Sequence, residues 1–255
     1  MNVFTVYDAN LRRIRLGAKR DGGYVIFDGL RYDHLVSGGI AGNIDFESDF
    51  INKYKVPCDA FDNSIDRLPR ENNQINFYRK TITSFNTEKN TNLKSLINGK
   101  ENVFVKMDIE GGEWDWLESL EQEELNRITQ MTIEIHFFFE LKGKDLNTEF
   151  RKRLKIIEKL NEYFYLMHVH GNNHANVFQF DGQQYPSVIE CTYVNKKVFM
   201  NNPYLFVIKN IRSFPNELDM SNYEHGPEIN YILNKPPFKF NELKLMNESY
   251  TKYTK

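Results

Sequence analysis

The chain has 255 residues, with 33 Lys and Arg against 35 Asp and Glu, a formal net charge of −2 and a pI near 6.3. This balance lacks the electrostatic footprint of a nucleic-acid binder, and the two cysteines, Cys58 and Cys191, exclude a disulfide scaffold and favour a reducing, cytoplasmic setting. With 40% hydrophobic residues, 20 Phe and 14 Tyr, the chain has apolar mass for a core, yet it has no run long enough for a membrane span and no apolar secretory segment in residues 1–20.

In chain order, residues 11–27 are predicted to be extended, folding back around Asp21-Gly22-Gly23 because Asp-Gly favours tight turns. From about residue 35 to 194, short apolar runs alternate with longer amphipathic ones, the pattern of an α/β domain with a mainly parallel sheet. Strands are expected at residues 34–37, 57–61, 74–79, 102–108, 130–138, 164–169 and 187–194. Helices are expected near residues 45–54, 91–97, 113–118 and 146–163. The last has the clearest period, with Leu146, Phe150, Leu154, Ile157 and Leu160 at helical spacing. Beyond residue 195 the pattern decays, and Pro203, Pro215, Pro227 and Pro236-Pro237 punctuate aromatic stretches. The expected organisation is one domain over 1–255, with an N-terminal arm 1–33, a core 34–195 and an aromatic C-terminal arm 196–255 packed over it.

Five segments carry candidate chemistry. Ser37-Gly38-Gly39-Ile40-Ala41-Gly42-Asn43 joins an apolar strand to a helix, where glycines permit close backbone approach and the helix start offers free N–H groups. A dinucleotide fingerprint needs glycine where Ser37 stands, so that reading is weakened. Phe61-Asp62-Asn63 ends the next strand, and an acid there can accept both hydroxyls of a ribose. Lys106-Met107-Asp108-Ile109-Glu110-Gly111-Gly112-Glu113 places three acids at a strand end, where an open α/β sheet has its ligand crevice. Asp108 and Glu110 can face substrate, a divalent cation or a proton there, whereas Glu113 reads as an acid favouring the start of the next helix.

Glu134 and His136 share one face of an apolar strand, so each needs a partner, a metal or a reacting group. His168 and His170 repeat that spacing, followed by Asn172-Asn173, and Glu190 sits inside a further apolar strand. Cys58 and Cys191 lack zinc-ligand neighbours and are expected in the core.

The order of these motifs, from Lys19-Arg20-Asp21-Gly22-Gly23-Tyr24-Val25 through Phe46-Glu47 to Ile189-Glu190, resembles the FkbM-type S-adenosylmethionine-dependent methyltransferases. The likeness is to the branch found among bacterial surface-glycan and giant-virus genes. It implies a Rossmann-like, seven-stranded class I methyltransferase sheet, mostly parallel, with its last strand antiparallel and helices on both faces. Gly38, Gly39, Gly42 and Asn43 would then line the methionine end of the cofactor, and Asp62 with Asn63 the ribose. Ser37 stands where the usual motif has an acid.

The resemblance further implies O-methylation of a sugar hydroxyl, on a nucleotide-activated sugar, a capsule or another surface glycan. His136 would be the base, with Asp108 and Glu110 completing the catalytic set. By likeness to related sugar methyltransferases, Mg²⁺ or Mn²⁺ would be held by Asp108 and Glu134, with His170 as a further ligand. A nicotinamide-dependent oxidoreductase and a non-catalytic binding module of the same fold stay open as alternatives. The C-terminal arm is expected either to cover the acceptor pocket or to make a homodimer contact.

Overall fold

The computed structural model describes residues 2–138, 146–180 and 182–240. Seven strands form the central sheet: β1 (His34–Gly38), β2 (Cys58–Phe61), β3 (Ile75–Tyr78), β4 (Val103–Met107), β5 (Ile128–His136), β6 (Phe164–Gly171) and β7 (Val188–Asn195). Their order across the sheet is β6-β7-β5-β4-β1-β2-β3. Every pairing is parallel except those of β7, which runs antiparallel to both β5 and β6. This is the class I methyltransferase arrangement.

Central β4 shows why the sheet is covered on both faces. Its residues alternate between two hydrophobic clusters: Val103, Val105 and Met107 join Trp116, Leu117, Ile157 and Leu160, while Phe104 joins Phe46, Phe50 and Ile51. The first set includes residues of α3 (Glu113–Ser119) and α5 (Leu146–Tyr163), the second residues of α1 (Asp45–Tyr54). The bounds of α1 and α5 are those the apolar period indicates.

Helix α2 (Lys94–Asn98) starts later than expected, because Leu93 adopts a left-handed φ of 62° and Asn90–Thr91 pairs with Thr81–Ile82. A short helix, α4 (Gln122–Arg127), follows α3, fixed by a capping box between Glu121 and Glu124.

The expected hairpin forms from Arg13–Gly17 and Gly23–Phe27. It lies against the sheet, with Gln130 hydrogen-bonded to the Phe27 backbone and Thr192 Oγ donating to Val25 O at 2.6 Å. Residues 196–240 are more ordered than their sequence pattern indicates. They contain α6 (Lys196–Met200), a strand at Val207–Lys209 paired with Tyr7–Ala9, and a 3₁₀ turn at Asn230–Leu233. Leu233 and Phe238 are buried in the main core. Residues 241–255 of the expected arm and the side chain of Leu146 lie outside the described residues. No helix among the described residues is long and apolar enough to cross a membrane.

Candidate active site

A cleft of about 580 Å³ opens at the carboxyl ends of β1, β2 and β4. Its floor is the turn after β1. Gly39 there has φ of +79°, and a Cβ on it would lie 1.6 Å from the Asp108 carbonyl oxygen, so only glycine lets the β1 and β4 ends approach this closely. Gly42 has open space beside it. Gly38, expected on the cleft wall, instead makes room for Ile82 and Met107, which a Cβ would meet at 2.5 and 2.7 Å. Asn43 lines the cleft and also spends its Oδ1 on the Asp45 N–H at the start of α1.

Asp62 faces the same cleft, with exposed Asn63 beside it. Its Oδ2 accepts the N–H groups of Ile40 and Ala41, both at 2.8 Å, and its Oδ1 accepts the N–H and hydroxyl of Ser64 at 2.7 and 2.6 Å. Burial alone would raise its pKa, but these donors outweigh that and hold the carboxyl below its ordinary value. The ribose-binding candidate is thus also the brace of the glycine turn.

Past the end of β4 stands a set of three: one ligand atom from each of Asp108, Glu134 and His136 lies within 4.8 Å of the others. Tyr24 donates to Asp108 Oδ2 at 3.3 Å, and the other oxygen, Oδ1, is buried. Asn172 donates to Glu134 Oε1 at 2.6 Å. Burial, then the nearby Asp108 and Glu190 carboxylates, push the Glu134 carboxyl far up. His136 lies 3.4 Å from Glu110 and 3.3 Å from Glu113. Burial pulls its imidazolium down, but Glu113, Asp108 and Glu110 more than reverse this, so its pKa stands above the ordinary histidine value. Glu110, at the turn after β4, takes a left-handed φ of 56°, as does Phe137 after β5 with 57°. Such backbone costs about 1 kcal/mol or more per residue and concentrates at functional sites.

His170 is not part of that set. It pairs with Glu190 at 3.2 Å, because β7 is inserted between β5 and β6 and Glu190 stands in register between Glu134 and His170. His168 pairs with Asp219 from the C-terminal segment at 2.9 Å. Cys58 and Cys191 are buried and free, as expected.

Two site features lay beyond the sequence reading. Glu113 is fully buried and binds the His136 backbone, a role its place at a helix start conceals. Tyr24 reaches Asp108 from the hairpin, a contact between residues 84 apart that no local pattern encodes.

Residues 29–171 match the methyltransferase FkbM domain. The chain belongs to that family. Methyl transfer from S-adenosylmethionine is therefore its reaction class, which decides against the nicotinamide alternative. No curated protein matches the chain. Among solved structures it is similar to the Methanococcus jannaschii fibrillarin pre-rRNA processing protein, at 10% identity and TM-score 0.37 over 73% of this chain and 83% of that one. Similarity extends to the plantazolicin methyltransferase BpumL in complex with SAH, at 10% identity and TM-score 0.31 over 64% and 75%. The precorrin-6y C5,15-methyltransferase of Geobacter metallireducens matches at 10% identity and TM-score 0.31 over 66% and 84%.

Proposed function

We propose that this FkbM-family chain transfers the methyl group of S-adenosylmethionine to a hydroxyl of a sugar, carried on a nucleotide or in a surface glycan. The observation that carries this is the convergence of Asp108, Glu134 and His136 beside a cleft floored by a glycine turn.

The donor sulfonium already carries an activated methyl group, so the protein's tasks are alignment and removal of the acceptor proton. Gly39, Gly42 and Asn43 face the methionine end, and Asp62 and Asn63 the ribose. Of the donors on Asp62, those of exposed Ser64 are the ones that ribose hydroxyls replace. His136 receives the acceptor proton, with Asp108 and Glu110 countering the charge that then develops on its ring.

The acceptor side is polar, as hydroxyl recognition requires. Asn172 adjoins Glu134, and Asn173 holds the segment 221–227 through Ser221, Tyr223 and Pro227. That segment forms the acceptor wall, with the Tyr223 ring 5.0 Å from that of His174.

A second version is favoured by the ligand atoms of Asp108, Glu134 and His136, which lie within 4.8 Å of one another. Asp108, Glu134 and His136 would hold a divalent cation, Mg²⁺ or Mn²⁺, which supplies charge stabilisation for an acceptor alkoxide. His170, already paired with Glu190, lies outside that set.

The test is turnover on a panel of nucleotide sugars and glycans, read as gain of one methyl group by mass, with and without EDTA. Methylation of a sugar hydroxyl that Asp108→Ala abolishes supports the reading. Unchanged turnover under EDTA sinks the cation version. Methylation only of nitrogen or carbon acceptors sinks the sugar assignment.

A further inference from the structure

Two charged side chains in the cleft take no part in the chemistry proposed above. Glu47, on the first turn of α1, is 1% exposed, and Lys106, on β4, is 6% exposed. Both line the cleft at its glycine-turn end. Leaving a charge unpaired in the interior is costly, so such groups are normally found in ion pairs.

Neither is in one. Among the described residues, Glu47 is bound only by Ser37, whose hydroxyl donates to Oε1 at 2.5 Å. Lys106 Nζ donates to the carbonyl oxygen of Gly39 and lies 3.4 Å from that of Gly38, with the Tyr24 ring centroid 5.9 Å away. An ammonium has three donors, so two carbonyls leave one unspent.

Their placement is fixed by the sheet. Ser37 and Lys106 are register partners on adjacent β1 and β4, so the residue that orients Glu47 stands beside Lys106. The cleft end thus presents one buried anion and one buried cation, held apart by protein dipoles on either side of the glycine turn. The matching ligand group carries both charges on one carbon: an α-amino acid.

We propose that Glu47 and Lys106 are the receptor for the amino-acid end of the methyl donor, Glu47 accepting from its α-ammonium and Lys106 donating to its α-carboxylate. The proposal rests on the S-adenosylmethionine reading above. It also accounts for Ser37: the acid is displaced from the strand end to α1, and the serine hydroxyl aims it back. A dinucleotide satisfies only one requirement, since its phosphates suit Lys106 but are repelled by Glu47.

Calorimetric titration tests this without turnover. The probes are S-adenosylhomocysteine, its decarboxylated form, and 5′-methylthioadenosine, which keeps the nucleoside and lacks the amino-acid end. The wild-type protein is expected to bind S-adenosylhomocysteine about tenfold or more tighter than either truncated ligand, the scale of a charge-assisted hydrogen bond. Glu47→Gln and Lys106→Met should each cost S-adenosylhomocysteine about tenfold while leaving methylthioadenosine within about twofold. Lys106→Met should also stop distinguishing S-adenosylhomocysteine from its decarboxylated form. Ser37→Ala, a milder change, should weaken S-adenosylhomocysteine in the same selective manner.

Equal wild-type affinity for the full and truncated ligands overturns the proposal even if both substituted proteins fail to fold. Parallel weakening of both ligands in all three variants overturns it as well. Wild-type protein that binds none of the three probes overturns the methyltransferase reading itself, and this inference with it.

Discussion

Glu113 Oε1 accepts the backbone N–H of His136 at 2.7 Å and lies 3.3 Å from Nδ1 of the same residue. The other oxygen of Glu113 accepts the Gly111 N–H at 2.8 Å. One fully buried carboxylate therefore ties the end of β5 to the turn before α3 and sets the imidazole against Asp108 and Glu134. The arrangement leaves Nε2 toward Glu110 and Glu134.

Glu113→Gln should lower kcat about tenfold or more, because the ring that accepts the proton loses the carboxylate that positions it. It should also move the pH profile in a fixed direction. The His136 pKa is raised, so in the wild type the neutral ring that can take a proton appears only above the ordinary histidine range. Removing the Glu113 charge lowers that pKa, and the acid limb of kcat must shift to lower pH. A limb that stays in place excludes His136 as the group seen in the profile.

Gly39 and Gly42 should respond oppositely to alanine. Gly39→Ala places a Cβ 1.6 Å from the Asp108 carbonyl in a left-handed backbone, and its cost should exceed about 3 kcal/mol, as for other severe steric conflicts. Gly42→Ala meets nothing within 4 Å, so its melting temperature should barely change while S-adenosylhomocysteine binding weakens, because the added methyl occupies the cleft. Thermal melts paired with titration separate the two effects.

Asp62→Asn should weaken S-adenosylhomocysteine about tenfold and flatten the acid stability curve. The amide presents a donor toward N–H groups that need acceptors, at about 1–3 kcal/mol per group left unsatisfied. The sign follows from the depressed Asp62 pKa: its contribution is present above the ordinary aspartate value and is lost as pH falls through the folded-state value. Melts from about pH 5 to about pH 2 should therefore fall less steeply for the variant than for the wild type.

Asn173→Ala removes a side chain that donates to Ser221, Tyr223 and Pro227 and accepts from the Tyr223 N–H. Segment 221–227 should become more open to limited proteolysis. KM for the acceptor should rise with little change in S-adenosylhomocysteine affinity. A rise in cofactor Kd of the same size would count against this segment as an acceptor wall.

The legible parts of the molecule were those with local periodicity. Apolar β4 and the helical stripe of α5 reveal their class and nearly their bounds, since burial on both faces or on one leaves a direct mark. The acids and histidines at strand ends could likewise be found from their spacing. Grouping them could not: whether His136 or His170 joins Asp108 and Glu134 depends on β7 entering between β5 and β6, a tertiary event. Gly38 shows the same limit, since a glycine that admits Ile82 and Met107 looks, in sequence, like one that admits a ligand. Glu47 and Lys106 stand within the quoted motifs, yet neither acquires a role until its burial and, among the described residues, its lack of an ion pair are seen together.

The hairpin turn and the C-terminal segment meet across 201 residues, where Asn222 donates to Asp21 at 3.1 Å and Arg20 pairs with Glu224. A chain made from its N-terminus acquires these partners at very different times. Every described residue lining the cleft lies between Asp21 and Gly112, more than 100 residues ahead of segment 221–227. The segment proposed to face the acceptor, 221–227, follows much later in the chain. On the proposed reading, order of synthesis becomes order of competence: a ribosome-bound or truncated chain can possess the residues of the cleft while still lacking the wall against which a sugar would rest.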